Sequence, residues 1–249
     1  MPCCPIVAII PASMKHPLPA RPELGTRDGL AYALFLPPVE PRAGVVICHG
    51  AGSAKESHFD FARAATAYDM AAVAFDARGH GASEGRFGPG AIDDVLTICG
   101  LMREHAARIA LRGSSMGGFC ALHAAAADGM ADAVVAICPA PEDFLLRGLR
   151  SGRLDGFEAD RDALEPWLEG MSLVEAVTSL SPRTALLLLH ARGDEQIPYT
   201  VSEELFEAAG EPKRILLLPG GHHRSIQHDL ELQAESLRFV ERAVAGEPV

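Results

Sequence analysis

Ser115 lies at the centre of Gly113-Ser114-Ser115-Met116-Gly117, a spacing that points to nucleophilic chemistry. The residues before it, Arg108 to Arg112, read as a short buried strand, and Phe119 to Ala127 read as a helix. A chain that reverses sharply between strand and helix needs glycine on both flanks, because a Cβ there would collide with neighbouring backbone. Ser114 does not fit the same frame, since positions 112 and 116 hold Arg112 and Met116 rather than glycine. A helix that begins directly after the serine also aims unpaired backbone N–H groups at any anion formed there.

A serine hydroxyl attacks a carbonyl only when a neighbouring base takes its proton, so Ser115 calls for a histidine and an acid elsewhere in the chain, in the order serine, acid, histidine. Of ten histidines, His222 and His223 fit best: they follow the last strand-like run in Leu218-Pro219-Gly220-Gly221-His222-His223-Arg224, where a loop can bring a ring over the serine. Either can be the base on this ground. His190 closes a strand ahead of the acid and is set aside. For the acid, Asp194 sits just past that penultimate strand, in Arg192-Gly193-Asp194-Glu195, and would fix the tautomer of the base and stabilise its protonated form. Glu195 and Asp143 are the rival carboxylates. An oxyanion must receive backbone hydrogen bonds, worth roughly 3 to 4 kcal/mol each. The N–H of Met116 supplies one, and that of Ala51, after the strand Val45 to Cys48 and the glycine Gly50, supplies the other. His49, ahead of the nucleophile, reads as a residue that fixes this loop. A metal site at His222, His223, His228 and Asp229 is not supported, because adjacent histidines point in different directions and no second cluster accompanies them. No cofactor is expected.

The whole chain bounds this chemistry. Its 249 residues, 48% hydrophobic, suffice for one sizeable core, so residues 1–249 are expected to form a single domain. A formal net charge of -11 with no basic run argues against nucleic acid as a partner, and no stretch reaches membrane-spanning length. The expected partner is a small-molecule ester, and the expected state is a monomer or homodimer. Six cysteines without zinc spacing or a disulfide framework fit a reducing cytoplasm. Residues 1–20, with prolines at 2, 5, 11, 17 and 19, read as an irregular leader, too short in its apolar run for a secretory signal.

The elements that must position these residues follow from alternating apolar runs and helix-like segments, the pattern of parallel βαβ units. Residues 30–36 are expected to pair as a hairpin with the stretch around Leu24 across a turn at Asp28-Gly29. Strands follow near 44–48, 71–76, 108–113, 132–138, 184–190 and 213–218, with helices near 57–69, 91–104, 117–128, 200–209 and 227–244. This makes an α/β fold with a mostly parallel sheet of about eight strands flanked by helices. Between Cys138 and Thr184 lie about 45 residues, far more than an ordinary connection. Residues 140–182 are therefore expected to insert a small helical cap over the site, with Phe144, Leu145, Leu149, Phe157, Leu164, Trp167 and Leu168 as an apolar wall. Trp167 and Phe144 are the pocket candidates. The alternative is a surface helix pair without a role in substrate choice.

Four motifs together resemble the α/β-hydrolases of the bacterial carboxylesterase and serine aminopeptidase-like group: His49-Gly50-Ala51-Gly52, Asp76-Ala77-Arg78-Gly79-His80-Gly81-Ala82-Ser83, the serine turn, and Gly193-Asp194 with Gly220-Gly221-His222-His223-Arg224. The resemblance covers roughly residues 21–245. It implies the α/β-hydrolase fold, a Ser115-Asp194-His223 triad, and Ala51 and Met116 as oxyanion donors. It prefers His223 over His222, because related sequences place two residues between the first glycine of the loop and the base. It also implies hydrolysis of small carboxylic esters through an acyl-serine. Amide, peptide or thioester hydrolysis, cofactor-free haloperoxidase or perhydrolase chemistry, and a non-catalytic binding role remain as alternatives. The stretch Arg78 to Gly81 is expected to tie its loop to the oxyanion loop.

Overall fold

The hairpin at the start of the sheet is built by its turn. Asp28 and Gly29 both take positive φ, 52° and 79°, the twist that matches two strands in register, and β1 (Glu23–Arg27) pairs antiparallel with β2 (Leu30–Phe35). The computed structural model describes residues 21–153 and 156–249; the expected leader at 1–20 lies outside the described residues. β2 runs antiparallel to β4 (Met70–Phe75), and from there the sheet is parallel through β3 (Ala43–Cys48), β5 (Ile109–Ser114), β6 (Ala133–Ile137), β7 (Ala185–Ala191) and β8 (Lys213–Leu218). The order across the eight strands is β1-β2-β4-β3-β5-β6-β7-β8.

Strands β3 to β7 are buried at every position. Helices cover both faces, so these strands read as continuous apolar runs rather than as alternation. α1 (Phe59–Thr66) and α8 (Leu230–Ala245) pack Phe61, Leu237 and Phe239 on one face. α2 (Ala91–Arg103), α3 (Met116–Asp128) and α7 (Thr200–Ala208) pack Ile98, Met102, Phe119 and Leu205 on the other. The chain leaves β3 for β4 on one side and later returns to β5 on the other. That change of direction opens a crevice at the carboxyl ends of β3 and β5, where open α/β sheets bind ligands.

One element differs from the sequence expectation. α8 starts at Leu230 rather than near 227, because the Asp229 carboxylate accepts the N–H groups of Glu231 and Leu232 and caps the helix there. Residues Ile226–His228 form a separate 3-10 turn. The insertion comprises three short helices, α4 (Glu142–Arg150), α5 (Arg161–Glu169) and α6 (Leu173–Thr178). It is fastened at its middle to the loop between β4 and α2: Phe87 and Ala159 form a parallel bridge, and the Phe157 ring stacks on His80 with centroids 4.1 Å apart.

Candidate active site

Ser115 stands between β5 and α3 with φ 53° and ψ -120°, a backbone that L-residues avoid. The surroundings hold it there. Its N–H donates to Ile137 O at 2.9 Å, and its own carbonyl accepts from Gly118, Phe119 and Ala140. The flanking glycines are steric requirements: a Cβ on Gly113 would strike the Gly117 carbonyl, and one on Gly117 would strike the carbonyls of Cys48 and His49. Strain of this kind costs of order 1 to 3 kcal/mol and persists only where the fold over-determines it.

The expected acid and base meet across two loops. Asp194 follows β7, its side chain fully buried, and His223 follows β8; His223 Nδ1–H donates to Asp194 Oδ2 at 2.7 Å. The other carboxylate oxygen accepts the N–H groups of Gln196 at 2.8 Å and Ile197 at 2.9 Å. Burial pushes the Asp194 carboxyl up, but hydrogen bonds from His190, His223 and these two amides outweigh it, and the group lies well below the usual carboxylate range. Of the two histidines open on position, His223 faces the acid. His222 is exposed, its backbone N–H on Ser225 Oγ. Of the rival acids, Glu195 accepts the backbone N–H of His223 at 3.1 Å rather than its ring, and Asp143 pairs with Arg147 on α4. Ser115 and His223 line one cleft. No hydrogen bond joins Ser115 Oγ to the ring among the described residues; such contacts commonly tighten only with substrate in place.

The loop after β3, the expected oxyanion loop, is held by histidines acting as acceptors. His49 Nε2 accepts from Ala77 N at 2.9 Å while its Nδ1–H donates to Gly50 O at 2.8 Å. His80 does the same one step on, accepting from Gly52 N at 3.2 Å and donating to Arg78 O at 3.1 Å. Only neutral rings can do both. Burial lowers both pKa values, His80 to about 4. Buried Asp76 completes the brace, accepting from Lys55 N and Nζ at 2.8 and 2.6 Å and from Ala82 N at 2.9 Å. Ala51 N–H is left without a backbone acceptor among the described residues, and Met116 N–H opens α3, where a helix has no acceptor of its own.

Three features escaped sequence reasoning. His190, fully buried, backs the acid: its Nε2 lies 3.3 Å from Asp194 Oδ2 and 3.0 Å from Ile197 O, and its Nδ1 is 2.7 Å from Ser202 Oγ. Gln227 ties the turn after His223 to the nucleophile strand, accepting from Ser114 Oγ at 2.7 Å and, through its carbonyl, from buried Arg112 at 2.9 Å. Cys138, with φ 43° at the end of β6, comes within 4.8 Å of ligand atoms of Asp194 and His223. Burial holds its thiol well up, and a metal there would displace the Nδ1 proton that the acid–base hydrogen bond requires.

The cleft measures about 1360 Å³. Phe144 and Leu145 line it as the sequence suggested, but Trp167 does not. Its ring packs edge-on against Phe119 of α3, 5.7 Å between centroids, and braces α5. Leu149, Leu164 and Leu168 are likewise buried in the core, and Phe157 lies on His80. The apolar residues of the cap therefore mostly hold it down. Its cleft side is instead built from Arg147, Gly148, Arg150, Ser151, Gly152, Arg153 and Gly156 beside Phe144 and Leu145.

Residues 39–144 match the family described as serine aminopeptidase, S33. Over 195 residues the chain is 28% identical to the uncharacterized protein YfhR of Escherichia coli O157:H7, covering 73% of this chain but only 63% of that one, under two thirds of its length. It is 27% identical over 241 residues to the uncharacterized protein Rv2307c of Mycobacterium tuberculosis H37Rv, covering 89% and 79%. Among solved structures, the α/β hydrolase GrgF from Penicillium aligns with TM-score 0.72 at 22% identity over 92% of this chain and all of that one. Est1E from Butyrivibrio proteoclasticus, solved with ferulic acid bound, aligns with TM-score 0.71 at 20% identity over 90% and 99%.

Proposed function

We propose, from the α/β-hydrolase fold that this chain has, that it is a serine hydrolase of small carboxylic esters. The observation that carries the reading is Ser115 in its strained turn sharing one cleft with the hydrogen-bonded pair Asp194–His223. Ser115 Oγ attacks the ester carbonyl carbon as His223 Nε2 takes its proton, and the tetrahedral oxyanion receives the N–H groups of Ala51 and Met116. His223 then protonates the leaving alkoxide, which departs as the alcohol. Water, deprotonated by the same nitrogen, attacks the acyl-serine; the bond to Ser115 Oγ then breaks as His223 Nε2 returns the proton to that oxygen, and the carboxylic acid is released. Asp194 keeps Nδ1 protonated throughout, so Nε2 is the nitrogen free to act.

The ester reading is supported by fold likeness to a monoacylglycerol lipase from Paleococcus ferrophilus, which aligns with TM-score 0.65, and to the Pyrococcus furiosus esterase PF2001, with TM-score 0.69. A fluorophosphonate probe should label the protein, since phosphorus is attacked as a carbonyl would be, and Ser115→Ala should abolish both labelling and turnover of p-nitrophenyl acetate. Labelling that survives Ser115→Ala overturns the assignment.

A further inference from the structure

The cleft beside Ser115 carries charge opposite to that of the whole protein. The chain has 33 acidic against 22 basic residues, yet among the described residues the cleft is lined by four arginines, Arg147, Arg150, Arg153 and Arg224, against one carboxylate, Glu195. Glu195 is already engaged by the backbone N–H of His223. Two of the arginines are neutralised, Arg147 by Asp143, and Arg150 by Glu165 and Glu169 at 2.8 and 2.6 Å. Arg153 and Arg224 are exposed, and their guanidinium groups have no ion pair among the described residues. They stand on different walls: Arg153 on the cap loop after α4, Arg224 directly after His223.

The arginines on the cap recur every third residue, at 147, 150 and 153, which keeps the two on α4 on one helical face. Guanidinium forks match carboxylate and phosphate oxygens in pairs, and a cleft with low-dielectric walls concentrates counter-charge near its mouth.

We infer that the substrate is an ester bearing a carboxylate or phosphate group away from the scissile bond, held by Arg153 and Arg224 while the ester carbonyl sits at Ser115. This rests on the reading of Ser115 as acyl nucleophile. The anionic end is matched from both walls, and the short apolar stretch at Phe144 and Leu145 covers the carbon chain between. Because both guanidinium groups are exposed, their pull is screened by salt.

The test compares mono-p-nitrophenyl glutarate with the neutral p-nitrophenyl pentanoate. At low salt the anionic ester should be favoured in kcat/KM by about tenfold or more, the scale of a charge-assisted hydrogen bond. Near 0.5 M sodium chloride, where the Debye length is roughly 4 Å, the preference should largely vanish. The double substitution Arg153→Ala with Arg224→Ala should lower the anionic-to-neutral ratio by about tenfold, mainly through KM. Calorimetric titration of the Ser115→Ala protein with glutarate and with inorganic phosphate reads the anion site without turnover, and tells which oxyanion it prefers. If neither ester is hydrolysed, the acyl-nucleophile reading fails, and the titration still decides the anion site. A ratio near one in the wild type, a ratio untouched by the double substitution, or no binding of either anion overturns the inference.

Discussion

The Asp194 carboxylate is held by four groups, two backbone amides, His223 and His190. His190 touches no cleft surface, so under the proposed mechanism it would position Asp194 rather than meet substrate. His190→Gln should lower kcat by about tenfold with KM little changed, the loss expected when an outer hydrogen-bond partner is removed from a catalytic ligand; a change confined to KM would argue against this role. The two neighbouring histidines separate sharply. His223→Ala should cost at least ~10³ in kcat, while His222→Ala should cost at most a few-fold, because only His223 reaches the acid. The reverse ranking would move the base to His222. The turn at Ser115 was legible from a short motif, since glycine is sterically required at its flanks; chain order left Glu195 and Asp143 as rivals of Asp194, and only the fold shows which carboxylate His223 meets. His190 was not, because a histidine ending an apolar strand gives no sign of which loop will fold back over it.

Among elements, the cap is where sequence pattern and structure part. Apolar residues at 144–168 indicated helices correctly, but amphipathicity says only that one face is buried, not against what. Trp167 braces α5 on Phe119. Trp167→Ala should therefore destabilise the protein by about 3 kcal/mol, the range for removing a large packed aromatic, and leave acyl-chain preference unmoved; a changed preference with unchanged melting temperature would return Trp167 to the cleft. Phe157→Ala, removing the ring that lies on His80, should cost about 2 kcal/mol for a half-buried phenylalanine. It should also raise KM, since the loop it anchors leads to Gly156 and Arg153 in the cleft wall. Equal kinetics in that variant would mean that the cap keeps its place without the staple.

Over the whole molecule, buried neutral histidines set the acid limit. Burial pushes His80 and His123 down to about 4 and lowers His49 and, further, His58 from 6.5. The unfolded chain takes up these protons first, so between about 6.5 and 4 it binds more protons than the folded one, and stability falls as pH falls through that window. Asp194 adds to the loss further down: its carboxyl is held below the ordinary value, so the unfolded chain again protonates first as pH falls past about 4. The urea midpoint should be level above about pH 7 and decline steadily from about 6.5 to 4.5. A level or rising midpoint across that interval would refute the account. No helix among the described residues is long and apolar enough to cross a membrane.

Sequence alone determined the strand runs, the order of the helices and the turn at Ser115. Each rests on local physics: burial on both faces makes a parallel strand uniformly apolar, and a turn tight enough to reverse strand into helix excludes any side chain but glycine's at its flanks. Tertiary structure decided the rest. Which of His222 and His223 meets Asp194 depends on the path of a loop after β8, and which residues of the cap face the cleft depends on where α5 and α6 land on α3. The three arginines at 147, 150 and 153 stood in the sequence as a repeat of charge, and charge on a helix is ordinarily solvated. Only the fold brought that stripe into one cleft with Ser115 and Arg224, because a contact between segments far apart in the chain is fixed by the packing of the whole core and by no local pattern.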